Sequence, residues 1–341
     1  MPMDETGLLR ILKAALANKV SDVHLSTGEI PGFRLNGSIV DLKHAVLTQE
    51  DMDTVVRTIA YDDKIRDNPQ MVKDLDGSFD AAGVGRFRFN VFSNRLGTGI
   101  IFRSIPERIP SIDDMGLPQV LKRIAHSGRG LVLVTGATGS GKSSTLASIV
   151  NHINETKQDH ILTIEDPIEY VHTRKKARIS QREIGRNSET FAKALKSALR
   201  QDPDVILVGE LRDIETVEIA MKAAETGHLV LSTVHTTDAV KTISRLISLF
   251  PPEEQNLVRM RMSENLKATV SQRLLKRKDG KGRVAALEIM LVTQTIAECI
   301  ADSKLTGEIP GYIGQGRENY GSQTFDQHIA DLYLAGFIDI E

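Results

Sequence analysis

Apolar residues recur along the chain in two different rhythms, and the change between them falls near residue 110. In residues 4–19, Leu8, Leu9, Ile11, Leu12, Ala15 and Leu16 share a helical spacing. Asp22–Ser26 and Phe33–Leu42 read as short strands, the second turning on itself at Asn36-Gly37. Thr48 is placed to cap a helix running through Ala60, and a further helix fits Asp62–Asn68 before Pro69. Phe79–Ile105 then alternates apolar and polar residues, broken by Gly83, Gly85, Gly97 and Gly99, which is the pattern of antiparallel β-structure. Residues 1–104 are therefore expected to form a small α+β domain. The stretch SIPERIPSIDD, punctuated by Pro106 and Pro110, reads as an interdomain linker over 105–115 and as a hinge.

From Gly116 onward strands alternate with helices, the signature of a parallel sheet. The strands are Leu131–Thr135, His160–Glu165, Val205–Gly209 and Leu229–Thr233, and the helices cover about 143–155, 188–200, 214–226 and 238–249. Past Pro251-Pro252 the pattern is mainly helical, with a basic turn, LLKRKDGKGR, before a strand-like Val284–Met290. Residues 116–341 are thus expected to be an α/β domain with a helical C-terminal part, and the fold class is α/β in two domains.

The first of these strands runs into Gly136-Ala137-Thr138-Gly139-Ser140-Gly141-Lys142-Ser143, which fits G-x-x-x-x-G-K-[ST] at every fixed position, and a helical pattern follows through Ser144. Strand, glycine loop and helix come in the order a phosphate cradle needs. The glycines let successive backbone N–H groups turn inward, and the helix start adds its positive dipole end. Lys142 would reach the β- and γ-phosphates of ATP, and the Ser143 hydroxyl would sit on Mg²⁺.

Three more polar groups emerge from the expected strands at their carboxyl ends, where an open α/β sheet gathers its ligands. Glu165, Asp166 and Glu169 follow one strand and are candidates for coordinating Mg²⁺ or activating water. The hydrophobic strand in DVILVGE ends in Glu210, the general form of a Walker B element with glutamate in place of the commoner aspartate. His228 and His235 bracket the strand LVLSTV; His235 is positioned to sense a γ-phosphate, whereas His228, at the opposite end, suits an interface. Arg200 and Arg212 flank the Walker B strand and are candidates for a charge delivered between subunits, since phosphoryl transfer builds negative charge in its transition state. Arg95 reads as a solvated residue.

Composition narrows the alternatives. The net charge of -2 offers no global attraction to nucleic acid, and with no Trp and 4% aromatic residues a strand-stacking translocase is poorly supported. A single cysteine, Cys299, cannot build a disulfide framework or a four-cysteine zinc module, and suits a reducing cytoplasm. The acidic start MPMDETG has no apolar segment of a signal peptide, and no apolar run is long enough for a transmembrane helix, so any membrane contact is expected to be peripheral. A non-catalytic, ATP-binding regulatory subunit is disfavoured by the intact Lys142, Glu165, Glu210 and Arg212.

The elements TGATGSGKSST, EDPIEY, DPDVILVGELRD and GHLVLSTVHTTDA, in this order, resemble the secretion ATPase superfamily and, within it, the type IV pilus retraction motors. The upstream stretches SDVHLSTGEIPGFRLNG and GRFRFNVFSNRLGTGIIFRSIP extend the resemblance over nearly the whole chain. It implies a PAS-like N-terminal domain, a RecA-like ATPase domain and a homohexamer at the cytoplasmic face of the inner membrane, where it acts on pilus subunits and docks on a membrane platform protein. It also implies Glu165 as the base for the attacking water, Glu210 as the Mg²⁺-associated glutamate acting through water, and Arg86, Arg88 and Arg103 as ATP-facing. One departure stands out: Thr295–Lys304 keeps the apolar spacing of a helix that carries arginines in retraction motors, but lacks the arginines. Accessory retraction, pilus extension, and type II or type IV secretion ATPases share every catalytic residue and stand as alternatives.

Overall fold

The computed structural model of the chain describes residues 3–35 and 37–339. Its contacts divide it into two compact units: Met1–Arg108 with Asp166–Val171 and Gly185–Asn187, and Ile109–Glu165 with His172–Ile184 and Ser188–Glu341.

In the first unit, α1 (Glu5–Ala17) starts at Asp4, whose carboxylate accepts from the Gly7 N–H, and α2 (Gln49–Ile59) starts at a capping box between Thr48 and Asp51. A short α3 (Asp63–Asp67) follows. Six strands, β1 (Asp22–Ser26), β2 (Gly32–Leu35), β3 (Ser38–Asp41), β4 (Asp74–Ala81), β5 (Gly85–Asn94) and β6 (Gly97–Ile105), form one antiparallel sheet in the order β3-β2-β1-β6-β5-β4. The strand expected over Phe33–Leu42 is in fact the hairpin β2–β3; Asn36 lies outside the described residues. Along β5, Phe87, Phe89 and Val91 are buried against Leu8, Leu12, Val55 and Val56 of the helices, while the alternate residues Arg86, Arg88 and Asn90 take the other face.

The second unit holds a seven-stranded sheet ordered β13-β12-β7-β11-β10-β8-β9, made of β7 (Gly130–Thr135), β8 (His160–Glu165), β9 (Arg178–Glu183), β10 (Val205–Val208), β11 (Leu229–Val234), β12 (Leu266–Lys276) and β13 (Arg283–Leu291). Every pairing from β12 through β9 is parallel, and β13 runs antiparallel at the edge. On one face lie α4 (Val120–Ala125) and α5 (Lys142–Thr156). On the other lie α6 (Phe191–Ala198), α7 (Ile214–Glu225) and α8 (Ala239–Ile247). Leu131 and Leu133 of β7 enter one layer while Val132 and Val134 enter the other, so both faces need apolar side chains and the strand reads as an unbroken hydrophobic run. Ile112, within the expected linker, is 2% exposed and packs with Val120, Leu121 and Ile124, so residues beyond Pro110 belong to this core.

The C-terminal part departs from expectation. After α9 (Gln255–Asn265) the chain does not continue as helix to the basic turn; Leu266–Lys276 is the eleven-residue strand β12, inserted between β7 and β13. Its residues Ala268–Gln272 are buried without alternation, and LKATVSQRLLK is rich in good helix formers, so neither periodicity nor propensity marks it as strand. The edge strand β9 was likewise not expected. Four helices close the chain, α10 (Gln294–Ala301), α11 (Ile309–Gln315), α12 (Arg317–Tyr320) and α13 (Phe325–Leu334). Among the described residues no helix is long and apolar enough to cross a membrane.

Candidate active site

The residues joining β7 to α5 curl tightly. Gly136 and Gly141 have φ of 146° and 88°, and a Cβ on either would lie 2.5 Å from the Gln272 carbonyl or 2.8 Å from the Gln272 Nε2. Glycine at these two positions is thus required both by the backbone and by a close neighbour. Ala137, Thr138 and Gly139 form the exposed tip, while Ser140 and Lys142 are buried. Lys142 Nζ donates to the carbonyls of Gly136 (2.9 Å) and Ala137 (3.1 Å), and Ser140 Oγ is buried without a hydrogen-bond partner. A buried ammonium beside an unpartnered hydroxyl, at the start of a fifteen-residue helix, is a donor set suited to phosphate oxygens.

Because β7, β11, β10 and β8 are parallel neighbours, their carboxyl ends lie along one edge of the sheet. His235 follows β11 directly and Glu210 follows β10 by one glycine. Two bonds tie the Glu210 segment to β11: Thr233 Oγ1 donates to the Gly209 carbonyl (2.7 Å), and the Leu211 N–H donates to the Thr233 carbonyl (3.1 Å). Glu210 Oε2 in turn meets Arg212 Nε at 2.5 Å and His235 Nε2 at 3.4 Å. Burial, then the nearby Lys142 and Arg212 cations, hold the His235 imidazole below its ordinary pKa against the pull of Glu210, so its neutral form is favoured. Glu165 ends β8 and accepts from Thr163 Oγ1 (2.7 Å) and Gln181 Nε2 (3.2 Å). With neighbouring strands about 4.8 Å apart, Glu210 sits on a strand roughly 10 Å from β7 and Glu165 on one roughly 14 Å away.

Other candidates lie elsewhere. His228 precedes β11, at the opposite edge: its Nδ1 lies 2.9 Å from the Ala223 carbonyl at the end of α7, and six residues of strand put it about 20 Å from the phosphate-loop edge. His228, which the sequence places at the far end of the strand as an interface residue, thus lies away from the phosphate loop. Arg200 is at that far edge too, since α6 feeds the amino end of β10; its Nη1 donates to the Lys196 carbonyl (3.1 Å) and the side chain is exposed. Arg86, Arg88 and Arg103 belong to the first unit's sheet. Arg86 donates to Asp80 (2.8 Å) and Ser78 Oγ (2.5 Å), Arg103 pairs with Asp22 at 2.8 Å, and Arg88 stands opposite Arg103 in the ladder. Burial opposes charge on Asp22, but Arg103 and Ser21 outweigh it and its carboxyl stays below the usual range.

Two residues on the β12–β13 hairpin, of which only β12 was unexpected, bond to the loops that follow β7 and β11. Gln272 Nε2 donates to the Ser140 carbonyl and its Oε1 accepts from Thr145 Oγ1, both at 2.7 Å. Glu288 Oε1 accepts from the Ala239 N–H (2.8 Å) and Ser271 Oγ (3.3 Å), holding the start of α8 that follows His235-Thr236-Thr237. No local motif marks either residue; the signal lies in strand adjacency.

The model of the type II/IV secretion system protein family matches residues 5–307. A curated relative from Pseudomonas aeruginosa, named type IV pilus retraction ATPase PilT, is 44% identical over 99% of this chain and 96% of its own. A twitching motility protein of Neisseria gonorrhoeae is 45% identical over 90% of this chain and 82% of its own. Among solved structures, the pilus retraction motor PilT with bound ADP is 42% identical, with a TM-score of 0.89 over 98% of this chain and 94% of that one.

Proposed function

The chain belongs to the type II/IV secretion system protein family and is an ATPase of it, and from that premise we propose that it drives pilus retraction. The observation that carries the chemistry is the gathering of the Lys142 loop, Glu210, Arg212 and His235 at one edge of one sheet. The likeness to retraction and twitching proteins over nearly the whole chain supports the mechanical role. In this reading the first unit is PAS-like, the second RecA-like, and six copies form a ring at the cytoplasmic face of the inner membrane, bearing on a pilus platform protein. Residues near Pro106–Pro110 act as the hinge through which γ-phosphate contacts become rigid-body movement.

ATP enters with its phosphates over Gly136–Ser144. Lys142 exchanges the Gly136 and Ala137 carbonyls for β- and γ-phosphate oxygens. The Ser143 hydroxyl and the Glu210 carboxylate, an all-oxygen set, fit Mg²⁺, with Glu210 acting through water; the ion would neutralise charge on the phosphates. Glu165 takes the proton of the attacking water, which adds to the γ-phosphorus as the bond to ADP breaks. His235, in its neutral form, reports the γ-phosphate to the loop that follows it. Arg86, Arg88 and Arg103, with Arg212 and less directly Arg200, supply positive charge across the ring, so that an isolated subunit turns over slowly.

The test is live imaging of surface pili in cells whose only copy carries Glu165→Gln. Abundant pili that no longer retract are expected. Loss of pili would mark an extension motor instead, and normal pilus behaviour would reject the retraction role.

A further inference from the structure

We propose that Gln272 is the positioning residue of the phosphate loop, a role that rests on the ATPase reading above and adds a residue from outside every nucleotide-binding motif. Its side chain is 1% exposed and lies on β12, the strand parallel to β7 on the side away from Glu210 and Glu165. The amide makes two hydrogen bonds of opposite sense: Nε2 donates to the Ser140 carbonyl and Oε1 accepts from Thr145 Oγ1, each at 2.7 Å. One amide thereby joins the end of the loop to the first turn of α5.

The consequence follows from peptide geometry. The Ser140–Gly141 bond is trans, so its C=O and N–H point in opposite directions. Drawing the Ser140 carbonyl toward β12 aims the Gly141 N–H away from β12, to the side where the loop would gather a phosphate. The closeness of Gln272 to Gly136 and Gly141 acts in the same sense, since a Cβ on either would push the loop off this support. Only a side chain that both donates and accepts satisfies both partners. Ionised glutamate cannot donate to the Ser140 carbonyl, and methionine, of similar length, does neither.

The experiment uses the full chain with a fluorescent ADP analogue and Mg²⁺, alongside ATP turnover. In Gln272→Met the Kd for the analogue and the KM for ATP are expected to rise about tenfold, with kcat at saturating ATP changing less. Gln272→Glu should be at least as weak. Thr145→Val should weaken binding about threefold, and the double variant Thr145→Val/Gln272→Met should bind no worse than Gln272→Met alone, because the two side chains act through one bridge. A lowered melting temperature with Kd and KM unchanged would overturn the proposal and leave Gln272 a purely structural residue, as would additive losses in the double variant. Should Gln272→Met fail to fold, Thr145→Val decides alone, and unchanged affinity there overturns the role. Wild-type protein that is folded yet binds no nucleotide would overturn the ATPase reading and this role with it.

Discussion

One sheet contains two kinds of strand. Four of its parallel strands, β7, β11, β10 and β8, each end in a polar group that faces the same edge: a glycine loop with Lys142, then His235, Glu210 and Glu165. The hairpin β12–β13 extends that sheet on its other side and ends in a basic turn, yet sends Gln272 and Glu288 back under the loops that follow β7 and β11. The first set presents chemistry at strand ends; the second supports it from strand middles. The division of labour is physical. A reacting group must be reachable, and strand ends open to solvent, whereas a supporting group must be immobile, and the middles of these strands are buried.

The largest effect that separates the two regions is Lys142→Ala. Turnover should fall by about 10²–10³-fold, as when one charge-stabilising donor is removed from an active site. The melting temperature should stay within roughly 4 °C of wild type, because the bonds to the Gly136 and Ala137 carbonyls stay within the lysine's own loop and no sheet pairing is lost. Parallel measurement of ATP hydrolysis and thermal unfolding checks this. A collapse in stability would mean that the strand-end residues are also scaffold, and the distinction would fail.

The reciprocal change is Ile289→Ala on β13, at a position 0% exposed and paired with Val270 of β12. Removing most of a fully buried isoleucine should cost about 2–5 kcal/mol of stability. Turnover per folded molecule, measured well below the unfolding temperature, should change by less than about threefold, since Ile289 lies on β13, which β12 separates from the phosphate-loop strand β7. A hundredfold loss of turnover in folded protein would show that the hairpin does more than support.

These two regions were unequally legible from residues alone. Lys142 and Ser143 could be read because glycine spacing plus a strand-to-helix change allows few other outcomes. β8, β10 and β11 could be read because both their faces are buried, so each appears as a short apolar run with a polar end. β12 is buried the same way, but its LKATVSQRLLK follows a helix and consists of residues that suit helices. Gln272 was invisible for a different reason: its partners Ser140 and Thr145 are about 130 residues distant in the chain, and only strand order brings them together. Arg200 and His228 illustrate the converse. Both lie near a functional strand in sequence, but a strand has two ends, and they occupy the one away from the phosphate loop.

The smallest effect concerns Glu288, a buried carboxyl in the middle of β13. Burial pushes it above its ordinary pKa of 4.5, helped by the neighbouring Asp238; the Ala239 N–H, Ser271 and Arg273 pull the other way without cancelling the shift. Between its unfolded and folded pKa values, a group whose folded pKa is raised is protonated in the folded chain while already ionised in the unfolded one. The folded state then holds more protons, so stability falls as pH rises. Its contribution is complete below about pH 4.5 and is lost as pH passes through the folded pKa. Glu288→Gln, whose amide oxygen can still accept from the Ala239 N–H, cannot titrate. The melting temperature of wild type minus that of the variant should therefore decline as pH rises above about 4.5 and level off once the folded pKa is passed. A flat difference would mean that Glu288 is ionised throughout, and that the start of α8 is held by a buried charge rather than by a neutral acid.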